Sequence, residues 1–294
     1  MKILSFGEIL FDLIEGEPYL GGAPLNFAAH IAQCGAQAYM LSAVGQDELG
    51  QQALRQLAAL GVQGYFIQVD PSHPTGTVQV TLQQGQPDYT IMPQVAYDFI
   101  QLNGKEAQMQ AIPFEVLYFG TLAQRHAQSR ETLYHLVQQH SFEHIFYDVN
   151  LRKQSYTEEI IRASLPLCTL LKLNDEEVTV LSSLLYGQEM EPETFAHRTA
   201  QEYGTKVIII TAGARGCYVY ENENLFFAPA APVTVVDTIG AGDAFSAAFV
   251  YQYLNGATAT KAATLANKLG GYVASQRGPI PVYNQEIRKD LGIV

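Results

Sequence analysis

The chain has 294 residues, of which 48% are hydrophobic and 16% charged, so it can bury a sizeable core and is not globally disordered. Its 29 acidic and 17 basic residues give a formal net charge of −12, which argues against nucleic acid and anionic membrane surfaces as partners. Three cysteines, Cys34, Cys168 and Cys217, are far apart and lack a CxxC spacing, which indicates reduced core thiols rather than a disulfide framework.

The amino terminus lacks the long apolar stretch and small-residue cleavage site of a signal peptide. No uninterrupted apolar run approaches the length needed to span a membrane. We therefore expect a cytoplasmic protein.

Short apolar strands alternate with helical patterns along most of the chain. Strands are predicted at 3–7, 38–44, 116–119, 144–149, 168–173 and 207–211, and helices at 24–34, 48–60, 129–139, 157–165 and 194–203. This alternation predicts an α/β fold in which a parallel sheet is covered by helices on both faces.

Two stretches depart from that rhythm. Residues 76–92 alternate apolar and polar side chains around the turn Gln83-Gln84-Gly85-Gln86, which predicts an exposed antiparallel hairpin. Residues 9–20 are also strand-like. We expect a single domain over 1–294, with a small sheet as a lid formed by about 9–20 and 76–100.

A glycine-rich turn precedes the last long apolar helix. It comprises Gly240, Ala241 and Gly242, followed by Asp243 at the start of the helix. Consecutive N–H groups at such a turn, together with the positive end of the helix dipole, can hold a phosphate. Asp243 could be a simple helix-capping carboxylate, or it could take the proton from a hydroxyl that attacks the phosphate.

A second motif, near the amino terminus, favours the catalytic interpretation. Residues 21–28 read Gly-Gly-Ala-Pro-Leu-Asn-Phe-Ala, with further glycines at Gly35 and Gly45. Together the two motifs resemble both signatures of the ribokinase-like (PfkB) sugar kinases, and Gly-Gly-Ala-Pro-x-Asn is most similar to the fructokinase branch. The resemblance extends over nearly the whole chain and implies a three-layer α/β/α, Rossmann-like core with a small β-sheet lid.

The resemblance implies a role for each matching residue in the glycine-rich turn. Asp243 matches the catalytic base, and the N–H groups of Gly240, Ala241 and Gly242 match the anion hole for the transferred phosphoryl group. These roles agree with the physics of phosphoryl transfer, which depends on positioning and charge stabilisation.

The resemblance also implies sites for ATP and Mg²⁺. Asn174 and Glu177 match an Asn-x-x-Glu element that places nucleotide phosphate and Mg²⁺, with Glu177 acting through a water of the metal. A further segment, 211–216, matches a Thr-x-Gly-x-x-Gly nucleotide-binding turn through Thr211, Gly213 and Gly216. Asn267 matches an asparagine near the adenine.

On the acceptor side, the resemblance implies that Asp12 binds sugar hydroxyls, which suits a carboxylate that accepts two hydrogen bonds. Gly22 would let the backbone approach the sugar, Asn26 would donate and accept, and Tyr89 would contact the sugar from the lid. Arg152 would face either the nucleotide phosphates or the sugar.

Two further expectations come from relatives. Some members hold a monovalent cation through backbone carbonyls near the anion hole, and the region of Asp237, Ile239 and 275–278 matches that K⁺ site. Members often form homodimers through the lid, and a protruding hairpin has an edge that favours covering.

The positions of lysine and arginine along the chain bear on which sugar is phosphorylated. In the first 104 residues Lys2 and Arg55 are the only lysine and arginine, whereas an anionic sugar normally needs a cation. Tyr97 and Phe99 are expected beside Tyr89 as lid aromatics that suit a neutral sugar. Fructose is therefore the predicted substrate, although Arg125 or Arg152 could serve an anionic one.

Other functions stay open from the sequence. They are ribokinase, 2-keto-3-deoxygluconate kinase, a nucleoside kinase of the same fold, and a catalytically silent sugar sensor. The retained Asp243 and intact glycine-rich turn argue against the sensor.

Overall fold

The computed structural model describes residues 1–14, 16–83, 86–152 and 155–293, with the backbone alone for 80–83 and 86–89. A nine-stranded sheet forms the centre of the molecule. With strands numbered in chain order, the spatial order is β13 (Asn224–Pro229), β12 (Gly216–Glu221), β11 (Val207–Thr211), β10 (Leu170–Asn174), β9 (His144–Asp148), β8 (Val116–Gly120), β1 (Lys2–Phe6), β4 (Gln37–Gly45) and β5 (Gln63–Asp70). The strands from β11 to β5 are parallel, whereas β12 and β13 are antiparallel.

Helices cover both faces of this sheet, as the sequence predicts. One face carries α1 (Ala23–Gln33), α2 (Glu48–Ala59), α8 (Ala241–Leu254), α9 (Ala259–Ala274) and α10 (Gln285–Asp290), and the other carries α3 (Glu106–Ala111), α4 (Ala127–Gln139), α5 (Glu158–Ser164), α6 (Asp175–Tyr186) and α7 (Pro192–Tyr203). Successive strand residues point to opposite faces. Ile3 of β1 accordingly packs in the first apolar cluster and Leu4 in the second. The three-layer prediction is confirmed.

The sequence missed three strands at the two edges of the sheet. The strand β5 pairs only with β4 and leaves Gln63, Tyr65 and Val69 exposed, so its apolar pattern is weak. The strands β12 and β13 form a hairpin beside β11. Edge strands bury fewer side chains than central strands do. The apolar pattern that identifies a strand in the sequence is therefore weaker at the edges of the sheet.

A second, four-stranded sheet stands at one side of the core; we call it the lid sheet. It comprises β2 (Leu10–Ile14), β3 (Glu17–Gly21), β6 (Gly76–Gln83) and β7 (Gln86–Ile91), in the order β3-β2-β6-β7. The predicted antiparallel pairing of β6 with β7 is observed, and the turn residues Gln84 and Gly85 lie outside the described residues.

The prediction that the lid extends to residue 100 is wrong. The lid sheet ends at Ile91, and the chain then returns to the core as a short 3-10 helix, Ala96–Phe99. Tyr97 in this helix is fully buried, so it is not an exposed lid aromatic. The alternating pattern ends where the backbone leaves the sheet, and the ring of Tyr97, which follows, is buried.

In the described ranges, no helix combines the length and apolar character needed to cross a bilayer. Cys34, Cys168 and Cys217 are buried free thiols, and burial raises the pKa of each to about 12. They are inert core residues, as predicted.

Candidate active site

Polar residues that end or follow the parallel strands collect at one edge of the main sheet. Glu8 follows β1, Asp148 ends β9, Asn174 ends β10 and Thr211 ends β11. Because these strands are parallel, their carboxyl ends meet at the same edge, where open α/β sheets bind their ligands.

Asp243 lies in the first turn of α8, behind a tight glycine turn. Gly240 caps the helix with a φ of 77°, and a Cβ there would come within 2.6 Å of Pro279 Cβ, so this position requires glycine. The first N–H groups of a helix have no acceptor within the helix and can bind an anion, although here the Ala241 N–H donates to the Thr238 carbonyl at 3.3 Å. Asn26 Nδ2, from α1, donates to Asp243 Oδ2 at 2.8 Å and fixes the carboxylate.

The environment of Asp243 suits a base that works near neutral pH. Burial raises the pKa of its carboxyl to about 6. The Asn26 hydrogen bond and the charges of Lys172 and Arg152 lower this pKa, whereas the charge of Asp148 raises it. A carboxylate in this range accepts a proton more readily than an exposed aspartate does.

A buried ion pair lies beneath the glycine turn. Lys172 Nζ contacts both carboxylate oxygens of Asp148 at 2.9 Å, and a Cβ placed at Gly242 would lie 3.7 Å from the same Nζ. Tyr118 and Ser246 each donate to Asp148 Oδ2 at 3.0 Å. Burial opposes the charge of Lys172, but Asp148 outweighs it and raises the lysine pKa. The pair therefore adds fixed charges directly below the anion-binding turn.

Sequence reasoning assigned no role to Lys172 or Asp148. One signal was available, because a lysine in the otherwise apolar strand Leu170–Asn174 needs a buried partner. The partner lies on the neighbouring strand, 24 residues earlier, and a single sequence does not reveal that pairing.

Three carboxyl groups, those of Glu8, Asp12 and Asp243, interact with the charge of Arg152. Asp12 lies on β2 of the lid sheet, and burial raises the pKa of its carboxyl while the charge of Arg152 lowers it. Arg152 also lowers the pKa values of Glu8 and Asp243. The predicted residues Asp12, Asn26, Arg152 and Asp243 therefore lie around one space.

Glu8 was missed by the sequence analysis, although it directly follows the first strand. Its side chain is 4% exposed, and burial raises the pKa of its carboxyl to about 7. The backbone N–H groups of Glu8 and Ala23 and the charge of Arg152 lower this pKa, whereas Asp243 raises it. Gly22 lies against it with a φ of 113°, and a Cβ there would come within 2.5 Å of the Glu8 carbonyl oxygen.

Arg125 is engaged elsewhere. Its Nε and Nη2 bind the two carboxylate oxygens of Asp98 at 2.7 and 2.9 Å, and its guanidinium lies 5.0 Å from the ring centre of Tyr97. Phe99 stacks on His73 at 3.7 Å between ring centres. The side chain of Tyr89, predicted to contact the sugar, lies outside the described residues, although the backbone places it on β7.

Asn174 and Glu177 form a capping box at the start of α6. Asn174 Oδ1 accepts from the Glu177 N–H at 2.7 Å, and Glu177 Oε2 accepts from the Asn174 N–H at 2.8 Å. Glu177 Oε1 also accepts from the Leu151 N–H at 2.6 Å, which ties the loop after β9 to the end of β10. Burial raises the pKa of Glu177.

The predicted nucleotide-binding residues lie at the β12 side of the sheet. Thr211 ends β11, Gly213 begins a short 3-10 helix and Gly216 begins β12. Asn267 of α9 is buried, and its Nδ2 donates to the Ala228 carbonyl of β13 at 2.9 Å. Asn267 thus also braces the edge hairpin against the helix.

The proposed monovalent-cation region is brought together as expected. Asp237 Oδ1 accepts from the Ile239 N–H at 3.0 Å, and Asp237 Oδ2 accepts from the Gly278 N–H at 3.2 Å. The two segments that would supply carbonyl oxygens are therefore adjacent.

Among the described residues, no group of three or more His, Cys, Asp or Glu side chains is placed to hold a metal ion. A single carboxylate at the sheet edge fits Mg²⁺ that binds together with a nucleotide. Mg²⁺ in such sites keeps several waters and binds phosphate oxygens and only one or two carboxylates. Glu177, at the same sheet edge, is the carboxylate predicted to face those waters.

Comparison with known proteins gives a consistent assignment. The chain matches the pfkB family of carbohydrate kinases over residues 3–286. An uncharacterized sugar kinase from Pyrococcus horikoshii is 30% identical over 296 residues, which cover 94% of this chain and 91% of that protein. A fructokinase from Escherichia coli is 28% identical over 260 residues, covering 84% of this chain and 82% of its own length.

Solved structures share the fold. The Pyrococcus horikoshii protein in complex with ATP superposes with a TM-score of 0.84 at 27% identity, covering 99% of each chain. Fructokinase from Vibrio cholerae, with fructose, ADP and calcium ion bound, superposes with a TM-score of 0.82 at 23% identity and covers 99% of this chain and 98% of that one. The match confirms the ribokinase-like architecture across the described chain.

Proposed function

The chain belongs to the pfkB family of carbohydrate kinases, and from this premise we propose that it transfers the terminal phosphoryl group of ATP to a primary hydroxyl of a free hexose. The proposed reaction is the conversion of fructose to fructose 6-phosphate. One observation carries the proposal, namely that Asn26 holds Asp243 at the start of a helix that follows a glycine turn.

In the proposed mechanism, Asp243 accepts the proton of the sugar hydroxyl as its oxygen attacks the terminal phosphorus. The bond between that phosphorus and its bridging oxygen breaks, and ADP leaves. The N–H groups of Gly240, Ala241 and Gly242 stabilise charge that develops on the phosphoryl oxygens. Lys172 adds positive potential below the turn, although Asp148 offsets much of it.

Mg²⁺ would neutralise phosphate charge when bound with the nucleotide, and Asn174 and Glu177 are the residues proposed to hold its waters. We also propose that Thr211, Gly213, Gly216 and Asn267 line the nucleotide site. The adjacency of Asp237 and Gly278 supports a K⁺ site at the carbonyls of 237 and 239.

The charge of the pocket supports a neutral acceptor. Glu8, Asp12 and Asp243 face Arg152, whereas Arg125 is paired with Asp98 and Lys172 with Asp148. A phosphate or carboxylate on the sugar would add negative charge where acids already outnumber the cation. This argues against sugar phosphates and 2-keto-3-deoxygluconate, which need a free cation.

A coupled ADP-release assay tests the proposal. The panel is fructose, ribose, adenosine, 2-keto-3-deoxygluconate and fructose 1-phosphate, each with ATP and Mg²⁺, and Asp243→Asn prepared in parallel controls for contaminating kinases. We expect fructose to give the highest kcat/KM. Turnover of a phosphorylated or acidic sugar without turnover of fructose would refute the neutral-hexose assignment.

The homodimer and the cytoplasmic location remain predictions. The outer strands of the lid sheet, β3 and β7, each have one unpaired edge within the described chain, which is the kind of edge that a second copy can cover. Sedimentation equilibrium measures the oligomeric state directly.

A further inference from the structure

Buried oxygens without partners concentrate at the acceptor pocket. Among the described residues, five buried side-chain oxygens have no hydrogen-bond partner, and three of them are Glu8 Oε2, Asn26 Oδ1 and Tyr97 OH. A buried polar atom without a partner destabilises the folded protein, so most such atoms find one. Where several converge on a ligand site, a bound ligand is the natural source of their partners.

Asn26 already has a role as the donor that positions Asp243, but Glu8 and Tyr97 have none. Glu8 lies directly after β1, and Gly22 packs against its Cγ, since a Cβ at Gly22 would come within 3.4 Å of that atom. The charges of Arg152 and Asp243 both act on its carboxyl, so the side chain faces the acceptor space.

Tyr97 reaches the same region from the 3-10 helix beneath the lid sheet. Its ring lies against Gly76, the first residue of β6, where a Cβ would come within 2.5 Å of the ring edge. The charge of Glu8 raises the pKa of its hydroxyl, together with the larger effect of burial. Glu8 and Tyr97 therefore lie near each other at the root of the lid sheet.

We propose that Glu8 Oε2 and Tyr97 OH bind hydroxyl groups of the acceptor sugar remote from the reacting carbon and so determine which sugars are accepted. This inference rests on the proposed function and deepens it. A tyrosine hydroxyl donates and accepts, and a carboxyl accepts, so the pair can hold one hydroxyl between them or two adjacent hydroxyls. This pair fits a neutral polyol face, whereas a phosphate or carboxylate at this position would add negative charge where Glu8, Asp12 and Asp243 already share Arg152.

The test uses single-atom changes with a matched control. Tyr97→Phe removes only the hydroxyl, Glu8→Gln keeps the shape and removes the charge, and Tyr134→Phe removes a buried tyrosine hydroxyl from α4, away from the pocket. For each purified full-length protein, kcat and KM are measured for fructose and ATP. Fructose binding without ATP is measured by calorimetry, and thermal unfolding shows that each variant is folded.

Tyr97→Phe and Glu8→Gln are each expected to raise the KM and the dissociation constant for fructose by roughly 10-fold or more, with the KM for ATP unchanged and kcat less affected. A series of monodeoxy fructoses then identifies the contact. For the analogue that lacks the hydroxyl bound by Glu8 and Tyr97, the KM and dissociation constant of each variant should equal those of the wild type, because the interaction is already absent.

Three outcomes are distinguishable. Unchanged fructose affinity in folded Tyr97→Phe and Glu8→Gln overturns the inference and leaves the kinase proposal intact. An equal loss on every deoxy analogue, or the same loss in Tyr134→Phe, indicates a structural role and also overturns the inference. A wild-type protein that neither binds nor phosphorylates fructose overturns the proposed function and the inference with it.

Discussion

Asp243 is the residue on which the proposed chemistry depends. Its carboxylate is fixed by Asn26 from a helix 217 positions earlier in the chain, and burial raises its pKa to about 6. An ordinary helix-capping aspartate would be more exposed and more acidic. The combination of fixed geometry and raised basicity is what a proton acceptor for a sugar hydroxyl requires.

The first prediction concerns this carboxylate. Asp243→Asn keeps the shape and the contact with Asn26 but cannot accept a proton, so kcat should fall by roughly 10²- to 10⁴-fold while the dissociation constant for the sugar changes little. Steady-state kinetics and calorimetry measure the two quantities. Near-normal turnover in the variant would rule out the base assignment.

The second prediction concerns pH. Asp243 accepts a proton only when it is ionised, and its pKa is about 6, so kcat/KM should fall about tenfold per unit below that pH. The measurement is kcat/KM for fructose between pH 4.5 and 8.5, with stability checked at each pH. An acidic limb centred near the ordinary aspartate value would show that burial does not control this group.

At the scale of elements, single residues serve both folding and the site. Asn174 and Glu177 close a capping box that starts α6, and the same two residues match the family element for Mg²⁺ and phosphate. The capping role follows from local hydrogen bonds, whereas the nucleotide role depends on what lies at the sheet edge. The two roles predict different consequences of one substitution.

The third prediction separates these roles with a matched pair. Asn174→Ala and Thr157→Ala each remove an N-cap, from α6 and α5 respectively, and each should reduce the free energy of unfolding by about 1 kcal/mol. Only Asn174→Ala should raise the KM for Mg·ATP or lower kcat, by about tenfold or more. Denaturant unfolding and steady-state kinetics are the measurements. If the two variants have equal kcat and equal KM for Mg·ATP, Asn174 serves only as a helix cap.

At the scale of the whole molecule, the lid sheet and the core form one packed body. Phe11 of β2 belongs to the apolar cluster on one face of the main sheet, and Leu10 and Val78 belong to the cluster on the other. The proposed acceptor site lies where the two sheets meet, between Asp12 on the lid sheet and Asp243 on the core. Sugar binding at this site would join two parts that already share apolar contacts.

The fourth prediction follows from this arrangement. The protein should unfold in a single calorimetric transition, and fructose at 100 times its dissociation constant should stabilise it by about 2.7 kcal/mol, a rise in melting temperature of about 4–5 °C for a chain of this length. Fructose 1-phosphate should give a smaller shift at equal concentration because the pocket is acidic. Two separate transitions, or a larger shift with the phosphate ester, would contradict it.

The sequence by itself determined the layered α/β fold, because alternating apolar strands and helices can bury their faces in few other ways. It also indicated the carbohydrate kinase family, since the glycine turn before Asp243 and the Gly-Gly-Ala-Pro-x-Asn segment are local patterns with specific physical requirements. The predicted strand at 207–211 and helix at 48–60 agree closely with β11 and α2.

Only the tertiary structure decided which distant residues act together. It pairs Lys172 with Asp148, Asn26 with Asp243 and Arg125 with Asp98. It also shows that Tyr97, expected as an exposed lid aromatic, is buried below the lid sheet. Glu8 became a candidate only when its burial and its unpartnered oxygen were visible. The physical reason is that the burial of a side chain depends on contacts between segments far apart in the chain. Burial in turn sets the pKa of the group and its hydrogen-bond partners, and local sequence patterns do not encode it.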